Sequence, residues 1–184
     1  MEKILIKTFQ DIKDKNYPNK ILLGNHCNSY DYSEKKIYDF EKISKHHWND
    51  YSNFIKDSEY LEDLYQRLLE NLMKRLNEFH DCKKSKIYWE IILGPWLIIF
   101  CTNIFDRWKT IEKLNFEENF STEINESLEN FLTPNTIEDY KKILLSETYN
   151  HYIFSKILIF LKDEKKLQIK FFKSKKNFYD DIPL

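Results

Sequence analysis

The stretch Tyr88-Trp89-Glu90-Ile91-Ile92-Leu93-Gly94-Pro95-Trp96-Leu97-Ile98-Ile99-Phe100-Cys101-Thr102-Asn103-Ile104-Phe105-Asp106-Arg107-Trp108 decides how this chain is read. From Ile87 to Phe105 it is long and apolar enough to cross a bilayer. Glu90 near its start, Thr102 and Asn103 near its end and Gly94-Pro95 in the middle favour a core helix instead. Its apolar residues lie on every side, so burial all round, in a core or in lipid, is expected. A proline inside a helix removes a backbone hydrogen bond and crowds the preceding turn, so the element should break into two half-helices, with Pro95 opening the second. Ser85 is a suitable N-cap, which sets the element at about Lys86 to Glu112.

Working outward, Tyr60, Leu61, Leu64, Tyr65, Leu68, Leu69, Leu72, Met73 and Leu76 recur at three- and four-residue spacing, predicting an amphipathic helix over about Ser58 to Phe79. From Ser33 to Tyr51 the reading is a short helix followed by a loop. Downstream, Ser121 to Ser127 reads as a polar loop. Thr133-Pro134-Asn135-Thr136 is a boundary whose Asn135 or Thr136 caps a helix starting at Ile137. Tyr149, Tyr152, Ile153, Phe154, Ile157, Leu158 and Leu161 predict a further helix over Ser146 to Leu161. Short apolar runs at Ile4–Ile6 and Ile21–Leu23 read as strands, and Leu167–Phe171 as another. Two glycines and four prolines are too few for an all-β fold or a Gly-rich phosphate loop. The expected class is therefore α/β, rich in helix, with a small parallel sheet.

A chain of 184 residues, 42% apolar and 16% aromatic, can build one substantial core despite its 32% charged residues. Twenty-nine basic residues face 30 acidic ones, so no global field recruits nucleic acid or an anionic membrane. Only the segment from Lys162 to Lys176 is locally basic. Its lysines, interleaved with Phe171 and Phe172, form either a solvated face or a phosphate- or membrane-surface patch. Cys27, Cys82 and Cys101 are odd in number and widely spaced, and the amino-terminal residues lack the apolar core of a signal peptide. Both features point to a reduced, cytoplasmic setting.

The polar loop Asn25-His26-Cys27-Asn28 follows a strand, where open α/β sheets bind ligands, which makes His26 a candidate general base against a capping or solvent role. Glu90, a carboxylate among apolar neighbours, is either functional or paired with Arg107 or Arg67. Trp89, Trp96 and Trp108 are core aromatics or platforms for sugar faces. Asp106-Arg107 is a structural ion pair or a clamp for phosphate or carboxylate. The histidines show no metal-ligand spacing, so no metal and no resident cofactor is expected.

Beyond these readings, Leu22-Leu23-Gly24, His46-His47-Trp48 with Asp50, Asp57 to Leu61, Leu64-Tyr65-Gln66-Arg67-Leu68-Leu69, Leu76-Asn77 with His80, and Tyr88-Trp89-Glu90-Ile91-Ile92-Leu93-Gly94-Pro95-Trp96-Leu97 with Phe105-Asp106-Arg107-Trp108 form a combined pattern. The pattern resembles the amino-terminal region of glycosyltransferase-like transferases encoded in bacterial surface-polysaccharide and O-antigen biosynthesis clusters. The resemblance implies that residues 1–184 form a single Rossmann-like amino-terminal domain, the acceptor-side half of a two-domain, GT-B-like enzyme. It implies a nucleotide-binding half elsewhere, sugar nucleotide as donor and a glycan acceptor. His26 or Glu90 would then be the catalytic base, and Trp89, Trp96, Asp106, Arg107, Trp108 and His47 the substrate contacts. The final residues Asp180–Leu184 carry no helix stop or terminal signature and read as cut rather than finished, and the segment alone is expected to be inactive. The alternatives are a non-catalytic glycan- or protein-binding helical module, and a helical protein in peripheral contact with a membrane.

Overall fold

The computed structural model describes residues 3–8, 11, 19–27, 46–114, 119–124, 134–165 and 167–173. The expected helix and loop from Ser33 to Tyr51 lie outside these residues as far as position 45. The elements run β1 (Lys3–Ile6), β2 (Lys20–Leu22), α1 (Tyr51–Phe79), α2 (Lys86–Glu112), β3 (Phe120–Ile124), α3 (Ile137–Leu144), α4 (Glu147–Lys165) and β4 (Ile169–Lys173). Short 3-10 turns occupy Asn25–Cys27 and His47–Asn49. The chain divides into two compact units, one of residues Met1–His46 with Trp108–Leu184 and one of His47–Arg107.

In the first unit four strands form an all-parallel sheet in the order β2-β1-β3-β4. β3 was expected to be loop. Its residues Phe120-Ser121-Thr122-Glu123-Ile124 carry three polar side chains, which hides a strand whose five residues are all buried. Parallel strands are covered on both faces, so apolar alternation is no guide to them. The core gathers Leu5, Ile6, Leu22, Leu23, Phe120 and Ile169 from the strands with Phe154, Leu158 and Leu161 from α4 and Ile111 from the last turn of α2. The helix boundaries obey local chemistry: Thr136 Oγ1 accepts from Asp139 N–H at 3.1 Å and Ser146 Oγ accepts from Tyr149 N–H at 3.1 Å.

The second unit is a helical hairpin. Asp50 caps α1 by accepting from Ser52 and Asn53, so the helix starts seven residues before the expected Ser58. Asn77 organises the turn: its amide donates to Lys84 O, and its oxygen accepts from Lys84 N–H and Trp89 Nε1–H, each within 3.0 Å. Asp81 adopts a positive φ of 47° there, a conformation that short polar side chains tolerate. Ser85 Oγ accepts from Tyr88 N–H and opens α2. Leu61, Tyr65 and Leu69 of α1 pack with Trp89, Leu97 and Cys101 of α2.

Two expectations for α2 are corrected. The helix runs unbroken through Gly94-Pro95, with Pro95 inside it. Ile91, whose carbonyl loses its partner at Pro95, and Pro95 itself are both exposed, so solvent can serve that carbonyl. Nor is α2 buried all round, because Ile87, Ile91 and Ile92 are exposed. Gly94 is a packing residue: a Cβ there would stand 2.8 Å from the Tyr65 hydroxyl. Gly94→Ala should lower stability by up to about 2 kcal/mol, because overpacking outweighs the helix-propensity gain of about 1 kcal/mol. Denaturant unfolding checks this, and a Tyr65→Phe background, which removes the clashing oxygen, should cancel the loss.

Candidate functional site

The strand order places β2 on one side of β1 and β3 on the other, so successive crossovers depart in opposite directions between β1 and β3. Open α/β sheets bind ligands outside the carboxyl ends of the strands at such a reversal. In this sheet the carboxyl ends of β1 and β3 carry a fully buried polar cluster. Lys7, the residue after β1, has no exposed surface. Its ammonium donates to Thr122 Oγ1 at 2.9 Å and to the Glu123 carbonyl, and stands 3.8 Å from the Asp11 carboxylate. Thr122 Oγ1 in turn donates to Leu5 O at 3.0 Å, which ties β3 to β1.

Asp11 is the hub. One carboxylate oxygen accepts from the backbone N–H groups of Lys7 and Thr8 at 2.8 and 3.2 Å, and the other meets His151 Nδ1 at 2.9 Å. Burial opposes ionisation of Asp11, but the Lys7 ammonium and the His151 hydrogen bond override it and hold the carboxyl well below the usual range. Burial lowers the Lys7 pKa against the opposing pull of Asp11 and Glu123. Burial and the Lys7 charge also lower the His151 pKa. His151 is therefore neutral near pH 7. Since a carboxylate only accepts, Nδ1 carries its proton. His151 belongs to a polar stripe on α4, with Thr148 and Ser155, that is buried like the apolar residues around it.

His26 lies at the rim of this cluster, in the 3-10 turn after β2, and is exposed. Its ring stacks on Phe154 with centroids 5.6 Å apart, and Nε2 lies 2.9 Å from Lys7 O. A carbonyl can only accept, so Nε2 holds the proton and the neutral ring carries its basic lone pair on Nδ1. Gly24 makes room for this pose, because a Cβ there would fall 2.9 Å from His26 Nδ1. Neighbouring Cys27 is no nucleophile: burial pushes its thiol up to about 12.

The remaining expected site residues are dispersed. Glu90 accepts from the Tyr65 hydroxyl at 3.5 Å, and the expected arginine Arg67 bridges to Asp63 instead. Trp89 is buried with its indole N–H on Asn77, and Trp96 stacks on Phe100. His47, Asp106 and Arg107 do come together in the hairpin unit, with His47 Nε2 3.6 Å from Asp106 Oδ1 and Arg107 bound to the other Asp106 oxygen. Trp108 belongs to the sheet unit, where its indole donates to Glu112 at 2.8 Å and its ring lies against Phe160. An open cavity at the opposite, amino-terminal ends of β3 and β4 is lined by Asn119, Phe120, Lys162, Gln168 and Lys170. It lies at the end of the sheet where ligands of this architecture are not expected.

Sequence reasoning singled out His26 but missed Lys7, Asp11, Thr122, Glu123 and His151. Two signals for them existed: a lysine directly after an apolar strand with an acid four residues on, and a histidine interrupting the apolar rhythm of α4.

These features define a helix-rich α/β protein with a polar site at the reversal point of a parallel sheet. The chain belongs to the LIC12162 family transferase, which it matches over residues 4–182. No curated protein and no solved structure gives a significant match.

Proposed function

We propose that this transferase chain is the acceptor-side domain of a glycosyltransferase that builds bacterial surface polysaccharide, including O-antigen, in the cytoplasm. A nucleotide-binding half outside these residues supplies the sugar nucleotide, in a GT-B-like arrangement. The observation that carries the reading is His26, in the turn after β2 and beside the sheet's reversal point, with Nε2–H committed to the Lys7 carbonyl at the end of β1 and the lone pair placed on Nδ1. An acceptor hydroxyl gives its proton to Nδ1 while its oxygen bonds to the donor's anomeric carbon. The bond from that carbon to the nucleotide's phosphate oxygen breaks, and the nucleoside phosphate leaves with the electron pair. The buried Lys7–Asp11–His151 network fixes the end of β1 and hence the carbonyl that orients His26.

Of the two candidate bases, His26 takes the role in this reading, whereas Glu90 ties α2 to α1 through Tyr65. Titration of the chain with acceptor glycans and with sugar nucleotides tests the assignment. Saturable binding of a glycan acceptor with no binding of nucleotide is expected. Binding of nucleotide alone would move the chain to the donor side and defeat the proposal.

A further inference from the structure

Among the described residues α2 is the helix long and apolar enough to cross a membrane, yet only 22% of its most apolar window is buried. One side of it packs on α1 through Trp89, Leu97 and Cys101. The other side presents Ile87, Tyr88, Ile91, Ile92, Pro95 and Ile98, all exposed, at three- and four-residue spacing. This is one continuous stripe about 17 Å long. Ile87 and Ile91 are 68% and 73% exposed, and Phe79, beside the hairpin turn, is 82% exposed. Exposed Lys83 and Lys84 flank the turn end of the stripe, and Lys84 Nζ lies 5.1 Å above the Tyr88 ring.

We propose that this stripe docks the hairpin unit on an anionic lipid bilayer, with α2 lying in the interfacial plane. The chemistry of the stripe selects the occupant. Protein interfaces favour tyrosine, tryptophan, arginine and methionine and are depleted in lysine. Here the anchors are aliphatic isoleucines, with an amphipathic tyrosine and lysines at one end. Isoleucine suits the acyl boundary, and lysine stems reach from it to phosphate headgroups. The helix lies on the bilayer instead of spanning it, because its other side is already committed to α1. That partner is rich in charged side chains and could not follow it into hydrocarbon. This inference does not depend on the chemistry at the sheet.

Cosedimentation of the full chain with vesicles tests it. Binding is expected to vesicles of phosphatidylcholine mixed with phosphatidylglycerol, more weakly to phosphatidylcholine alone, and to fall as salt is raised. Ile87→Asp combined with Ile91→Asp should lower the partition coefficient at least about tenfold with helix content unchanged, since both positions are exposed. Lys83→Glu combined with Lys84→Glu should lower it about tenfold on the mixed vesicles only. Quenching of the wild-type tryptophans by brominated lipid gives a readout that needs no variant. The proposal is overturned by absence of both pelleting and quenching, or by undiminished binding of the isoleucine variant. It is equally overturned if sedimentation equilibrium shows the stripe buried between two copies that the isoleucine variant separates.

Discussion

Asp11→Ala is expected to destabilise the protein by about 3–5 kcal/mol, because it leaves the Lys7 ammonium buried without its counter-charge. The substitution also strips the acceptor from two backbone N–H groups and from His151 Nδ1. Urea unfolding followed by circular dichroism measures the loss. Adding Lys7→Met to Asp11→Ala should recover part of it, since the orphaned charge is then gone, whereas a merely steric role for Asp11 would make the double variant worse than either single one. The same network sets the pH response. His151 has a folded pKa below its ordinary value of 6.5, so folding must expel a proton below that pH, and stability declines as pH falls beneath about 6.5. Asp11 has a depressed folded pKa, so its contribution is complete above its ordinary value of 3.8 and fades as pH falls below it. Acid unfolding should therefore begin in two stages, and His151→Gln should remove the first.

His26→Ala should lower the rate of sugar transfer by about 10²–10⁴-fold, the usual contribution of a positioned general base. The measurement needs protein that carries the donor-binding half, with acceptor saturating. Acceptor affinity should change much less than the rate, since the imidazole acts on the proton of one hydroxyl. Stability should change little because the ring is exposed at the rim of the sheet. A rate within a few-fold of wild type would remove His26 from the mechanism and return attention to the other candidate base, Glu90.

The parts of this fold that were legible in the sequence are those set by local chemistry. The leucine rhythm of α1, the caps at Ser85 and Thr136, and the short runs of β1, β2 and β4 all declare themselves within a few residues. β3 did not, because Ser121, Thr122 and Glu123 look like loop until the neighbouring strands and α4 bury them. With β3 hidden, the buried cluster was hidden too: Lys7 meets Thr122 and Glu123 across more than a hundred residues, and Asp11 meets His151 across a similar separation. The position of His26 was legible because it needed only a loop after a strand. Pro95 misled for the opposite reason. The local rule that proline breaks a helix was overridden by packing of α2 on α1 and by the exposure of the affected turn.

The central claim is that acceptor binds at the carboxyl ends of β1, β2 and β3, and amide chemical-shift mapping during titration with an acceptor glycan addresses it most directly. The account predicts that the largest shifts fall on Thr8, Gly24, His26 and Cys27, with Asn119 and Gln168 at the opposite end of the sheet unmoved. Shifts concentrated at Asn119 and Gln168, or confined to the helical hairpin, would contradict it.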